Sequence, residues 1–152
     1  MSSKKLPVRS KVITIAVGLF AAVILFFIGF NFLRIQLDFR KYSNLAQDFN
    51  TEMGGGYSTE EDINCDVDET ACPSIKLSNN VNIANVEQAR IYKNKIKNYF
   101  IVNGFTLDDD QDCKIVNNEV DYCGFSATNK DKKLEIISGV SSNFIQVNIH
   151  KK

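Results

Sequence analysis

Tryptophan is absent from this 152-residue chain, and histidine occurs once, at His150. Nucleophilic catalysis needs a nucleophile, a base that activates it and a donor for the developing charge. One imidazole on the last strand of the chain is a poor base for such a set. The GxGxxG, phosphate-loop, HExxH and GxSxG patterns are also missing. Without tryptophan, a sugar-stacking platform would rest on Tyr57, Tyr92, Tyr99 or Tyr122. No N-x-S/T sequon occurs, which is compatible with a bacterial envelope. Zinc would need ligands in a spacing that neither cysteine pair provides, with a single imidazole to help. An excess of basic charge is lacking too: from Tyr57 onward there are 11 Lys/Arg against 15 Asp/Glu. Nucleic-acid binders carry the opposite bias. The expectation is a protein without catalytic activity, cofactor, metal site or nucleic-acid partner.

Charge is missing altogether from residues 12–33 (VITIAVGLFAAVILFFIGFNFL), where Thr14 and Asn31 are the only polar side chains. As a helix this run is about 33 Å long, against a hydrocarbon core of about 30 Å. A cleavable signal peptide has a shorter apolar stretch ending at a small-x-small site, and NFLRIQLDF follows here instead. The run therefore reads as a single-pass anchor in a lipid bilayer, preceded by a basic tail at residues 1–11. Lys4, Lys5, Arg9 and Lys11 in that tail hold the N-terminus in the cytoplasm. Arg34, Arg40 and Lys41 follow the span and weaken the asymmetry. All four cysteines lie beyond the span, and an even set in a short exported region reads as disulfides. Both signs put the C-terminal domain outside the cytoplasm. The pair Gly18/Ala22 has the spacing that seats a partner helix, so a weak homo-oligomer through it or through the following helix is an open expectation.

Beyond the span, Ile35, Phe39, Tyr42, Leu45/Ala46 and Phe49 recur at helical spacing. They predict an amphipathic juxtamembrane stalk over 34–53. Three glycines, Gly54 to Gly56, end it and open a hinge or linker over 54–64. The extracytoplasmic domain then occupies 65–152. Asn85 caps a helix with Gln88 three residues on, a capping-box spacing. Val86, Ala89, Ile96 and Phe100 form its apolar stripe, Lys93, Lys95 and Lys97 are expected in water, and Asn103-Gly104-Phe105 ends it. PSIKLS reads as a short strand. KIV, YCGFSAT, KLEII and NFIQVNI alternate with period two and read as four more, joined by polar turns. The predicted fold is α+β: a membrane helix running into a stalk, then a small disulfide-stapled antiparallel meander with one packed helix.

The stretch DDDQDCKIVNNEVDYC (residues 108–123) admits two readings. Asp108, Asp110, Asp112 and Glu119 stand at calcium-loop positions 1, 3, 5 and 12. Position 6, which needs glycine, is Cys113, and strand rather than helix follows. A three-residue loop at Asn117-Asn118-Glu119 instead sets Val116 opposite Val120 and Cys113 opposite Cys123. Cys113, Ile115, Cys123, Phe125 and Ala127 then share a face. The stapled hairpin is the reading adopted; a loose calcium contact by the acids stays open. The expected bridges are Cys65–Cys72 and Cys113–Cys123.

These readings converge on a membrane-anchored domain that meets a protein partner in the cell envelope. The whole layout also resembles type IV pilins and pseudopilins: a basic N-terminal segment, a long half-buried helix, a glycine break, an α/β head and a late disulfide. That resemblance implies a structural subunit of a filament or secretion machine. Those families place Gly just before the processed apolar segment and Glu five residues into it. Here the segment follows Lys11, and the first acid is Asp38.

Overall fold

The computed structural model describes residues 8–63, 73–117, 119–131 and 133–152, with side chains from Val17 onward. It divides into two compact units, 1–37 and 38–152. Helix α1 spans Val8–Glu52 without a break. In the first unit its apolar side chains, among them Leu25, Phe26 and Phe27, are exposed to their surroundings. This segment is long and apolar enough to cross a membrane. Lys4 and Lys5 lie outside the described residues, as do Cys65 and Cys72; of Arg9 and Lys11 only the helical backbone is described.

The second unit begins with the last turns of α1. Tyr42, Ala46 and Phe49 are buried there, so the stripe expected to line a free stalk is part of the domain core. The helix stops because the chain turns left-handed at Gly54, Gly55 and Gly56, with φ of 92°, 79° and 90°. The Gly55 N–H donates to Asn50 O and the Gly54 N–H to Thr51 O, the paired bonds of a Schellman cap. The Asn50 side chain then holds Tyr57 by both backbone groups, accepting from its N–H at 3.2 Å and donating to its carbonyl at 3.3 Å. The segment expected as a hinge thus begins with a hydrogen-bonded turn.

Eight strands follow among the described residues: β1 (Ser58–Asp62), β2 (Ser74–Asn80), β3 (Phe105–Asp110), β4 (Ile115–Val116), β5 (Glu119–Val120), β6 (Cys123–Asn129), β7 (Leu134–Val140) and β8 (Phe144–Lys151). Helix α2 (Val86–Val102) lies between β2 and β3. Six strands form one antiparallel sheet in the order β1-β2-β8-β7-β6-β3, and β4 and β5 pair separately. The α+β layout and the β6-β7-β8 meander are as predicted. KIV, however, belongs to the small hairpin rather than the sheet, and β1 and β3 are additional. Both are edge strands. STEED has all five residues exposed, so no alternation of apolar residues marks it.

One sheet face carries Ile75, Leu77, Phe125, Ala127, Ile136, Val140, Ile145, Val147 and Ile149 into the core. Phe49 of α1 stacks on Phe100 of α2 at 5.5 Å and meets Tyr57 and Tyr99 edge-on. Phe100 in turn touches Phe105 and Phe125. Burial of one such phenylalanine is worth about 1.5–3 kcal/mol. Asn85 caps α2 by accepting from the Gln88 N–H at 2.9 Å, while Gln88 Oε1 accepts from the Ala84 N–H. Gly104, φ 86°, closes it.

Candidate functional site

Cys113 and Cys123 are bonded to each other, with Cα atoms 4.7 Å apart. Both are buried. The hairpin between them has a shorter loop than expected: Ile115 pairs with Val120 and Val116 with Glu119. Two residues instead of three separate Val116 from Glu119, and the first of them, Asn117, takes φ 52°, which asparagine tolerates. In this register Cys113 and Cys123 are not directly opposed, and the bridge links β6 to the segment before β4. Ile115 is consequently 61% exposed rather than on the core face.

The acidic run of residues 108–112 is met by cations of α2. Lys93 Nζ reaches Asp110 Oδ1 and the Gln111 carbonyl at 2.8 Å each, and Lys97 Nζ reaches Asp110 Oδ2 at 2.8 Å. The Lys93 side chain is only 6% exposed. It lies inside the contact with β3 instead of in water, because the carboxylate and carbonyl there replace its hydration. Partial burial draws the Asp110 carboxyl upward, but the two lysines outweigh it and hold it below the ordinary aspartate value of 3.8. Arg90 donates two hydrogen bonds to Asp112 and keeps it low as well. Asp108, at a bulge in β3, accepts from the Thr128 hydroxyl and lies 3.5 Å from Lys152 Nζ.

His150 lies in β8 between Ser74 of β2 and Glu135 of β7. Its side chain is 14% exposed, with Nε2 3.9 Å from Glu135 Oε2. Ser74 and Glu135 therefore flank the imidazole on the outer face, and the next row carries Asn148, Lys76 and Glu60. Glu60 pairs with Lys76 at 3.0 Å. The two acidic runs, Glu60 to Asp62 and Asp108 to Asp112, sit on opposite edges of the sheet and do not come together.

One concavity among the described residues has no counterpart in the sequence motifs. A groove of about 680 Å³ opens between the C-terminal turns of α1 and α2. Asp48, Thr51, Glu52 and Met53 line one side, and Lys95, Asn98, Tyr99, Val102 and Asn103 the other. Tyr99 is held by Phe49 and Phe100, so its ring is a fixed wall. Burial raises the Tyr99 phenol pKa above its ordinary value, and the Asp48 and Glu52 charges raise it further. A signal was present: neither helix has a basic residue in its last turn, against the usual preference at that end.

The fold and site thus define a class, a two-layer α+β domain with a disulfide, continuous through one helix with a membrane-length apolar segment. No family model, curated protein or solved structure matches the chain.

Proposed function

We propose that the chain is a single-pass membrane protein with its N-terminus in the cytoplasm, presenting its α+β domain outside for contact with another envelope protein. The observation that carries this reading is the pairing of an apolar helix segment with a closed Cys113–Cys123 bridge. Such bridges persist in oxidising compartments and are rare in the cytosol. The four cations before the span favour the same orientation. The polar clusters described above satisfy one another in ion pairs, which favours a binding role over chemistry. Photo-crosslinking from a residue at the groove rim, such as Asn98, in intact cells tests the reading. A discrete heteromeric adduct is expected, lost when the groove is altered; recovery of uncrosslinked protein alone would refute it.

A pilin-like subunit is the second reading. It is favoured by α1, whose upstream half is apolar and exposed while Tyr42, Ala46 and Phe49 are buried in the domain. Mass spectrometry of the mature N-terminus separates the two. A pilin-like protein would begin within the apolar segment, whereas an anchor keeps residues 1–11.

A further inference from the structure

The groove between the two helix ends bears on what the domain contacts, and the inference rests on the reading of it as an interaction module. We propose that this groove binds a basic extended segment of a partner protein, a Lys or Arg side chain lying against Asp48 and Glu52 with an apolar neighbour on Met53 and Val102. Charge complementarity is the first argument. Among the described residues Asp48 and Glu52 make no ion pair or hydrogen bond, although six of the domain's other acids pair with a cation. The carbonyl ends of two helices converge on the same place, and each contributes partial negative charge. Neither carries a compensating base in its last turn.

A carboxylate at a helix C-terminus also works against the fold. Departures from local preference concentrate where a protein does something other than fold. Glu52 occupies the last helical position of α1, the place where Lys or Arg would be preferred. The Tyr99 phenol in the groove wall is raised first by burial and then by the Asp48 and Glu52 charges. The apolar part is equally plain: Val102 is 85% exposed at the rim, and the fixed Tyr99 ring offers a face on which a guanidinium can rest. Lys95 is the one cation in the lining and opposes the ligand. A second copy's basic residues 1–11 would lie across the bilayer in the topology proposed above, and the occupant proposed here is a segment of a different protein.

The test uses the full chain in phosphatidylcholine nanodiscs, titrated with acetyl-Leu-Arg-Arg-Leu-amide and followed by amide NMR. Shifts are expected at Asn98, Val102 and Asn103. Asp48→Asn with Glu52→Gln should weaken binding roughly three- to tenfold, Lys95→Gln should strengthen it, and salt should weaken it. The pair Asp48→Lys and Glu52→Lys should transfer preference to acetyl-Leu-Glu-Glu-Leu-amide. Equal binding of both peptides by the wild type, absence of shifts at the groove, or unchanged affinity in the Asn/Gln variant would each overturn the proposal. Peptide binding in a nanodisc does not depend on which side of the membrane the domain occupies. A wrong topology would therefore leave these shifts intact, and a wrong groove would leave the topology intact.

Discussion

At the scale of single residues, three side chains show how burial sets properties. Ser138 is fully buried on the core face of β7, and among the described residues its hydroxyl has no hydrogen-bond partner. An unmet buried hydroxyl costs about 1–3 kcal/mol, so Ser138→Ala should raise the denaturant midpoint, by about 1 kcal/mol in stability. Tyr57 is pushed up to about 12 by burial and, secondarily, by Tyr92. The unfolded chain releases that proton near pH 10 and the folded one near 12. Stability from Tyr57 is therefore complete below pH 10 and lost as the pH climbs through 12. Thermal melts of wild type and Tyr57→Phe should diverge only in that window, with the variant less sensitive to base. Gly124 faces Gly139 across the β6/β7 ladder, and a Cβ there would strike the Ser138 carbonyl oxygen. Backbone would have to move, so Gly124→Ala should cost about 1–3 kcal/mol. None of these three was legible in the sequence, because each depends on what the fold brings against that position from a distant part of the chain. A buried Lys93 was hidden for the same reason: its partner Asp110 is 17 residues away.

At the scale of elements, periodicity was a sound guide wherever an element buries one face. The stripe Tyr42, Ala46 and Phe49 and the stripe Ala89, Ile96 and Phe100 were readable at spacings of three and four, as were the alternations of β6, β7 and β8. Edge strands gave no such signal. STEED and FTLDDD look like acidic loops because their free sides are solvated, and acids on an edge also deter pairing with another chain. The hairpin register differs from the expected one by one loop residue, because Asn117 takes the left-handed conformation and Val116 pairs with Glu119. Two consequences belong to this scale. Replacing Cys113 and Cys123 by alanine should cost about 2–3 kcal/mol in the chain-entropy account, measured by urea unfolding. The clamp of Lys93 and Lys97 on Asp110 joins α2 to β3. With its folded pKa lowered below 3.8, Asp110 stabilises the domain above that pH and ceases to as the pH falls through the lowered value. Wild type should therefore lose stability below about pH 4, and Asp110→Asn should start lower at neutral pH and show a shallower acid limb. Glu52→Lys should raise stability by about 0.3–1 kcal/mol, since it suits the end of α1.

At the scale of the whole molecule, one continuous helix ties the apolar segment to the domain core. Its C-terminal turns supply Phe49, which stacks on Phe100. A cut or helix-breaking substitution near Phe49 should thus unfold the domain rather than release it. In the proposed topology the opposing signals of the sequence, a neutral total with basic residues before the apolar segment and acidic excess after it, fall on the two sides of a bilayer. The most direct measurement introduces a single thiol at the exposed turn residue Asp131 and asks whether a membrane-impermeant maleimide reaches it in intact cells. The account predicts labelling without permeabilisation, on protein that stays with the membrane after alkaline washing. Labelling that appears only once the cells are opened would contradict it.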